Sequence, residues 1–144
     1  MTSRDADLTK LASDLNRLPA NLRRAVRPKV REAGGETLRV AQANARWSSR
    51  IPAALSLRTS FGARAAGATV VASTAIAPHA RVYEGMVHDS FRHPVFARAG
   101  RGAEWVSQAA RPYVRPAAKA TGQRFVEATN TAIDEALTAS GFTK

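Results

Sequence analysis

The side chains with the widest chemical range are three histidines, His79, His88 and His93, with Glu84 and Asp89 among them. Imidazole and carboxylate together can ligate a divalent cation or exchange a proton near neutral pH. The steps between the histidines, nine and then five positions, are not those of common zinc modules, and the chain has no cysteine to complete such a site. No phosphate-binding P-loop, dinucleotide glycine fingerprint or nucleophile elbow occurs. GRGAE at 100–104 reads as a turn, since no strand–loop–helix pattern surrounds it. The expectation is therefore no catalysis, no cofactor and no metal, with the loop histidines packing or hydrogen-bonding at an interface.

The second chemistry is cationic. NLRRAVRPKVR places Arg23, Arg24, Arg27, Lys29 and Arg31 within nine positions, and wound as a helix they would cover much of one polar surface. Such a stripe suits phosphates or an acidic partner, and it equally suits a plain solvated helix face. No aromatic residue interleaves with these cations, so stacking on single-stranded bases has no support here. The whole chain carries 22 basic and 11 acidic residues, a net charge of +11. A polyanion is the natural partner for that excess. The basic set is 18 Arg to 4 Lys, and with so much alanine this composition also follows from GC-rich coding. Charge is spread evenly, +6 over residues 1–50 and +5 over residues 51–144, so no separate basic tail exists.

These side chains need elements to hold them. A chain of 144 residues suits one domain with one core. No apolar run nears the roughly 20 residues of a membrane helix, and MTSRDADLTK lacks the apolar centre of a secretory signal, which predicts a soluble protein without a membrane partner. Leu8, Leu11, Leu15 and Leu18 form a helical stripe in residues 1–19, ended by Pro19. A second helical segment spans 20–46, with Leu22, Val26, Val30, Leu38, Ala41 and Ala45 inward and a bend or break expected at Pro28 and Gly34–Gly35. In ALSLRTSF the period becomes two, with Leu55, Leu57, Thr59 and Phe61 on one face. Residues 53–76 thus read as a β-hairpin.

Residues 77–108 read as a loop or extended arm with short strands, where Pro94 argues for an edge strand. A final helix over 112–139 follows Pro112, with Ala118, Phe125, Val126, Thr129, Ile133 and Leu137 as its apolar stripe. The predicted fold class is α+β: N-terminal helices, a small antiparallel sheet with a hairpin, and a long C-terminal amphipathic helix.

Four segments in order, SSRIPAALSLRTS at 48–60, APHARVYEGM at 77–86, FRHPVFARAG at 91–100 and WVSQAARPYVRPAA at 105–118, resemble the tail-component family of long non-contractile-tailed phages, most closely versions from phages of actinobacteria. The resemblance covers residues 20–139. It implies a structural protein of the phage neck, a head–tail connector or tail-completion subunit that forms a ring, usually six-fold, at the head–tail junction of the virion. The family's Tyr-Glu segment falls on Tyr83 and Glu84, its Arg-His-Pro segment on Arg92, His93 and Pro94, and its aromatic-proline helix start on Arg111, Pro112, Tyr113 and Pro116. Ala97 departs from the pattern, since many relatives have glycine after the position of Phe96.

The implied partners are further copies of the chain, the neighbouring head-closure or stopper ring, the tail terminator or tail tube, and passing genomic DNA. Tyr83, Glu84, Phe91, Arg92, His93, Pro94, Phe96, Trp105, Arg111 and Tyr113 then become candidates for the subunit or ring interface, with Phe91, Pro94, Phe96, Trp105 and Tyr113 equally candidates for core contacts. Proline-rich segments lose little freedom on docking, which suits an arm laid on a neighbour. The alternative reading is a basic protein that binds nucleic acid without sequence preference.

Overall fold

The computed structural model describes residue 9 and residues 20–61, 66–95, 102 and 104–139. The expected first helix, apart from Thr9, lies outside the described residues, as does Phe96. The chain runs through α1 (Ala20–Asn44), α2 (Ile51–Ala54), β1 (Leu55–Phe61), β2 (Ala66–Ala72), α3 (Ala80–Tyr83), β3 (Ser90–Val95), β4 (Glu104–Ala109) and α4 (Val114–Ala139). The architecture is α+β, and its antiparallel strands form two separate two-stranded sheets, β1–β2 and β3–β4. No described helix is long and apolar enough to cross a membrane.

Helices α1 and α4 form the body. Val26 and Val30 of α1 pack with Ala132 and Ala136 of α4, while Ala41 and Ala45 join Tyr113 and Ala117 at the other end, so the helices run antiparallel. Small side chains at the seam let the helix axes approach closely, which is how alanines contribute to a core despite their modest area. Midway, Thr121 Oγ1 donates to the carbonyl of Ala117 at 2.9 Å, leaving its oxygen to accept the Thr37 hydroxyl at 2.6 Å. Among the described residues no buried side-chain polar atom lacks a partner, as a close-packed interior requires.

The alternation in β1 appears as expected: Leu55, Leu57, Thr59 and Phe61 are covered, and Ser56, Arg58 and Ser60 are exposed. The covered face lies against α1. Two other expectations need correction. Of the bend or break expected in α1, the break is absent: one helix runs through Pro28 and the Gly34–Gly35 pair. Pro28 and Arg24, whose carbonyl loses its usual amide donor, both lie on the exposed side where water can replace that donor. Gly34 is the point of closest approach to the hairpin: a Cβ there would lie 2.7 Å from Ala68 Cβ and 3.2 Å from both Leu57 methyls.

The second correction concerns α4. Of its expected stripe Thr129 is buried and Phe125, Ile133 and Leu137 pack beside the seam, but Ala118 and Val126 are exposed, and the other buried positions are Ala117, Thr121, Ala132 and Ala136.

The glycine pair gives a paired prediction. Gly35→Ala, with open space around its Cβ, should stabilise the chain by about 0.5–1 kcal/mol through helix propensity. Gly34→Ala should instead be net destabilising, because overpacking costs about 1–3 kcal/mol. Urea unfolding of the two variants checks the opposite signs.

Candidate functional site

Glu84 follows α3 and is buried, 6% exposed. Its carboxylate receives the start of α4: Oε2 accepts the amides of Tyr113 at 2.8 Å and Val114 at 2.9 Å, and Oε1 accepts that of Arg115 at 2.8 Å. A helix start leaves its first four amides without intrahelical partners. Here three go to one side chain and the fourth position is Pro116, which has no N–H. The accounting is complete. A carboxylate is also the favoured charge at the positive end of a helix. Gly85, with φ of 76° in the left-handed region, turns the chain away directly after this residue, where a Cβ would meet Ala110 Cβ at 3.3 Å.

Tyr113 completes the junction. Its ring is buried, 2% exposed, and its hydroxyl donates to the carbonyl of Ala80 at 2.8 Å. Asn44 at the end of α1 donates its side-chain amide to the carbonyl of Tyr113 at 3.1 Å. Burial, reinforced by the charge of Glu84, pushes the Tyr113 phenol up to about 12. Glu84 was expected at a subunit interface, and Tyr113 at an interface or in the core. Both side chains are enclosed by their own chain, because the start of α4 needs an acceptor and the core beneath it needs an aromatic ring.

The junction carries the β3–β4 ribbon. The Arg111 amide donates to the carbonyl of Tyr83 and the Ala110 amide to that of Asp89, each at 2.8 Å, which fixes the ribbon at its base. A row of rings runs alongside: Trp47 to Tyr83 at 4.9 Å, Tyr83 to Phe91 at 4.9 Å edge-on, and Phe91 to His93 at 5.9 Å. The Arg111 guanidinium lies 5.4 Å over Trp47, within cation–π range. Trp47 and Asn44 were missed in the sequence, although a lone tryptophan just past a long helix was an available signal.

Beyond this base the ribbon has little cover. None of the residues of β3 or β4 is buried. Pro94 stands opposite Trp105, with Arg92 opposite Ser107 on the same face, and Trp105 remains 58% exposed. Of the expected interface set, Tyr83, Phe91 and His93 thus form the partly covered inner row. Arg92, Pro94, Trp105 and Arg111 lie along the ribbon and its base, with Arg92, Trp105 and Arg111 exposed. The histidines do not converge: among the described residues no three metal-ligating side chains gather at one place.

The expected cationic stripe divides. Two residues along an α-helix is roughly 200° round its axis, so Lys29 cannot share a face with Arg27 and Arg31. Arg27 lies on the hairpin side, its guanidinium 5.3 Å over the ring of Phe61. Arg24 and Arg31 are exposed on the same flank by helical spacing, next to the less exposed Arg23. Lys29 lines a groove of about 310 Å³ between α1 and α4, with Glu32, Glu36, Arg39 and Arg124 also along it. Arg124 pairs there with Glu36 at 2.8 Å.

No protein-family model, curated protein or solved structure matches the chain.

Replacing Glu84 by Ala should cost about 3 kcal/mol, since three covered amides lose a charged acceptor. Glu84→Gln should recover only part of it, its NH2 group facing donors. Tyr113→Phe should cost about 1 kcal/mol at neutral pH. The protonated phenol is favoured in the folded chain, so its contribution is complete below pH 10 and is lost as pH rises through about 12. Urea unfolding across that window should show the wild-type loss, about 2–3 kcal/mol from this group, and a correspondingly smaller loss in Tyr113→Phe.

Proposed function

We propose that the chain is a structural subunit of the neck of a long non-contractile-tailed phage, one copy of a ring that joins the head to the tail. The observation that carries this reading is the convergence of the segments on which the resemblance rests. Residues 77–86 supply Glu84 and Ala80, and residues 105–118 supply the amides and hydroxyl that bind them. Together they present the intervening ribbon with no buried side chain of its own. An isolated two-stranded ribbon is marginal in water, and a subunit meant to dock on neighbours has a use for one.

On this reading the role is mechanical and not catalytic. Its partners are other copies of the chain, the head-closure or stopper ring, the tail terminator or tail tube, and the genome passing through. A second reading, a nucleic-acid-binding protein without sequence preference, draws on the net charge of +11 and on the absence of any carboxylate between residues 37 and 83.

Deleting the gene from the phage genome and imaging the lysate separates the two. The neck reading predicts filled heads and finished tails that stay unjoined, with joined particles restored when the chain is supplied in trans. Joined, infectious particles without the chain, together with salt-sensitive retardation of any duplex DNA by the purified protein, would replace it with the second reading.

A further inference from the structure

The two flanks of the helical body differ in charge. On the hairpin flank stand Arg24, Arg27 and Arg31, and the adjoining strands add Arg58 with no carboxylate. The groove flank carries both signs. Glu32 and Glu36 line it from α1, and Thr131 lines it from α4. The neighbours of Thr131 at helical spacings of three and four are Glu127, Asp134 and Glu135. Of the eight carboxylates among the described residues, Glu84 is buried, Glu32 and Glu36 line the groove, and Glu127, Asp134 and Glu135 stand exposed on α4 around Thr131. The cations there are Lys29, Arg39 and Arg124, and Arg124 is already held by Glu36. Within the chain, Arg24, Arg31, Asp134 and Glu135 pair with no opposite charge among the described residues.

We infer that these flanks are the two halves of one contact between copies of this chain: the Arg24, Arg27 and Arg31 row of one copy lies along the Glu127, Asp134 and Glu135 row of the next. The inference rests on the ring reading above and names the surfaces that would close the ring. Unlike flanks on one subunit give a head-to-tail contact, which propagates round a closed ring. Repulsion between strongly positive chains opposes any association, and the exposed carboxylates of α4 offset it where a second copy would meet them. Opposed charge rows set register and encounter more than depth of binding. The contact is therefore salt-sensitive, since exposed charges are screened beyond about 10 Å at 0.1 M salt.

Light scattering after size exclusion, on the full chain in low and high salt, is the test. Two variants are made: Arg24→Glu with Arg27→Glu and Arg31→Glu, and Glu127→Lys with Asp134→Lys and Glu135→Lys. The wild type should self-associate in low salt, and each variant alone should do so at least about tenfold more weakly, equivalent to 1.4 kcal/mol or more. An equimolar mixture should recover association, because each reversed flank then meets a reversed partner. Folding damage cannot produce that rescue. Self-association unchanged by the arginine reversal, with loss of duplex DNA binding, would make the row a phosphate contact and overturn the inference. A wild-type chain monomeric in all conditions would overturn it too. If the gene deletion still left heads and tails unjoined, the neck reading would stand without this contact.

Discussion

The buried carboxylate of Glu84 is the constraint on which the rest of the molecule depends. A charge taken out of water is tolerated only when hydrogen bonds replace its hydration, and here the amides at the start of α4 do so. The arrangement is reciprocal. The helix start needs an acceptor, the carboxylate needs donors, and each is enclosed only when the other is in place. From that junction α4 sets out along α1, Tyr113 enters the core with its hydroxyl on Ala80, and β4 is held beside β3 through the amides of Ala110 and Arg111. A break here would release the helix, the core tyrosine and the ribbon together.

The second organising feature is the closeness of α1 and α4. Ala33, Ala41, Ala45, Ala117, Ala132 and Ala136 are buried, and Thr37 reaches Thr121 directly. Such a seam occupies little of each helix surface, leaving wide flanks free for charge. Because the hairpin sits against α1 beside Gly34, the flanks become distinct: arginine without carboxylate on the hairpin side, both signs on the groove side. An even distribution of charge along the sequence thus becomes an uneven one in space. In the proposed ring role, that unevenness tells one side of a subunit from the other.

The hairpin was the most legible part of the sequence, since alternation from Leu55 to Phe61 has only one sensible register on a covered face. The inward positions Val26, Val30, Ala41 and Ala45 of α1 were legible for the same kind of reason. Its continuity was not. A proline on the exposed side and a glycine pressed against Ala68 look like breakers until the tertiary neighbours are known. The stripe of α4 was read from its large apolar residues, Phe125, Val126, Ile133 and Leu137. Close helix contact selects small ones, and so the buried line passes through Ala132 and Ala136 instead. The arginine cluster was visible as composition, but only helical phase separates Lys29 from it. Glu84 was noticed as part of a motif, whereas its partners lie 29 to 31 residues further on, a separation that no local pattern encodes.

Hydrogen exchange at the amides of Tyr113, Val114 and Arg115 tests the central claim most directly. Amides in a first helical turn ordinarily lack intrahelical partners and exchange readily. The Glu84 junction predicts that these three are protected as strongly as amides in the middle of α4, and that they lose protection together. Exchange at the rate of an open helix start, with the middle of α4 still protected, would show that the carboxylate does not hold them and would contradict the account.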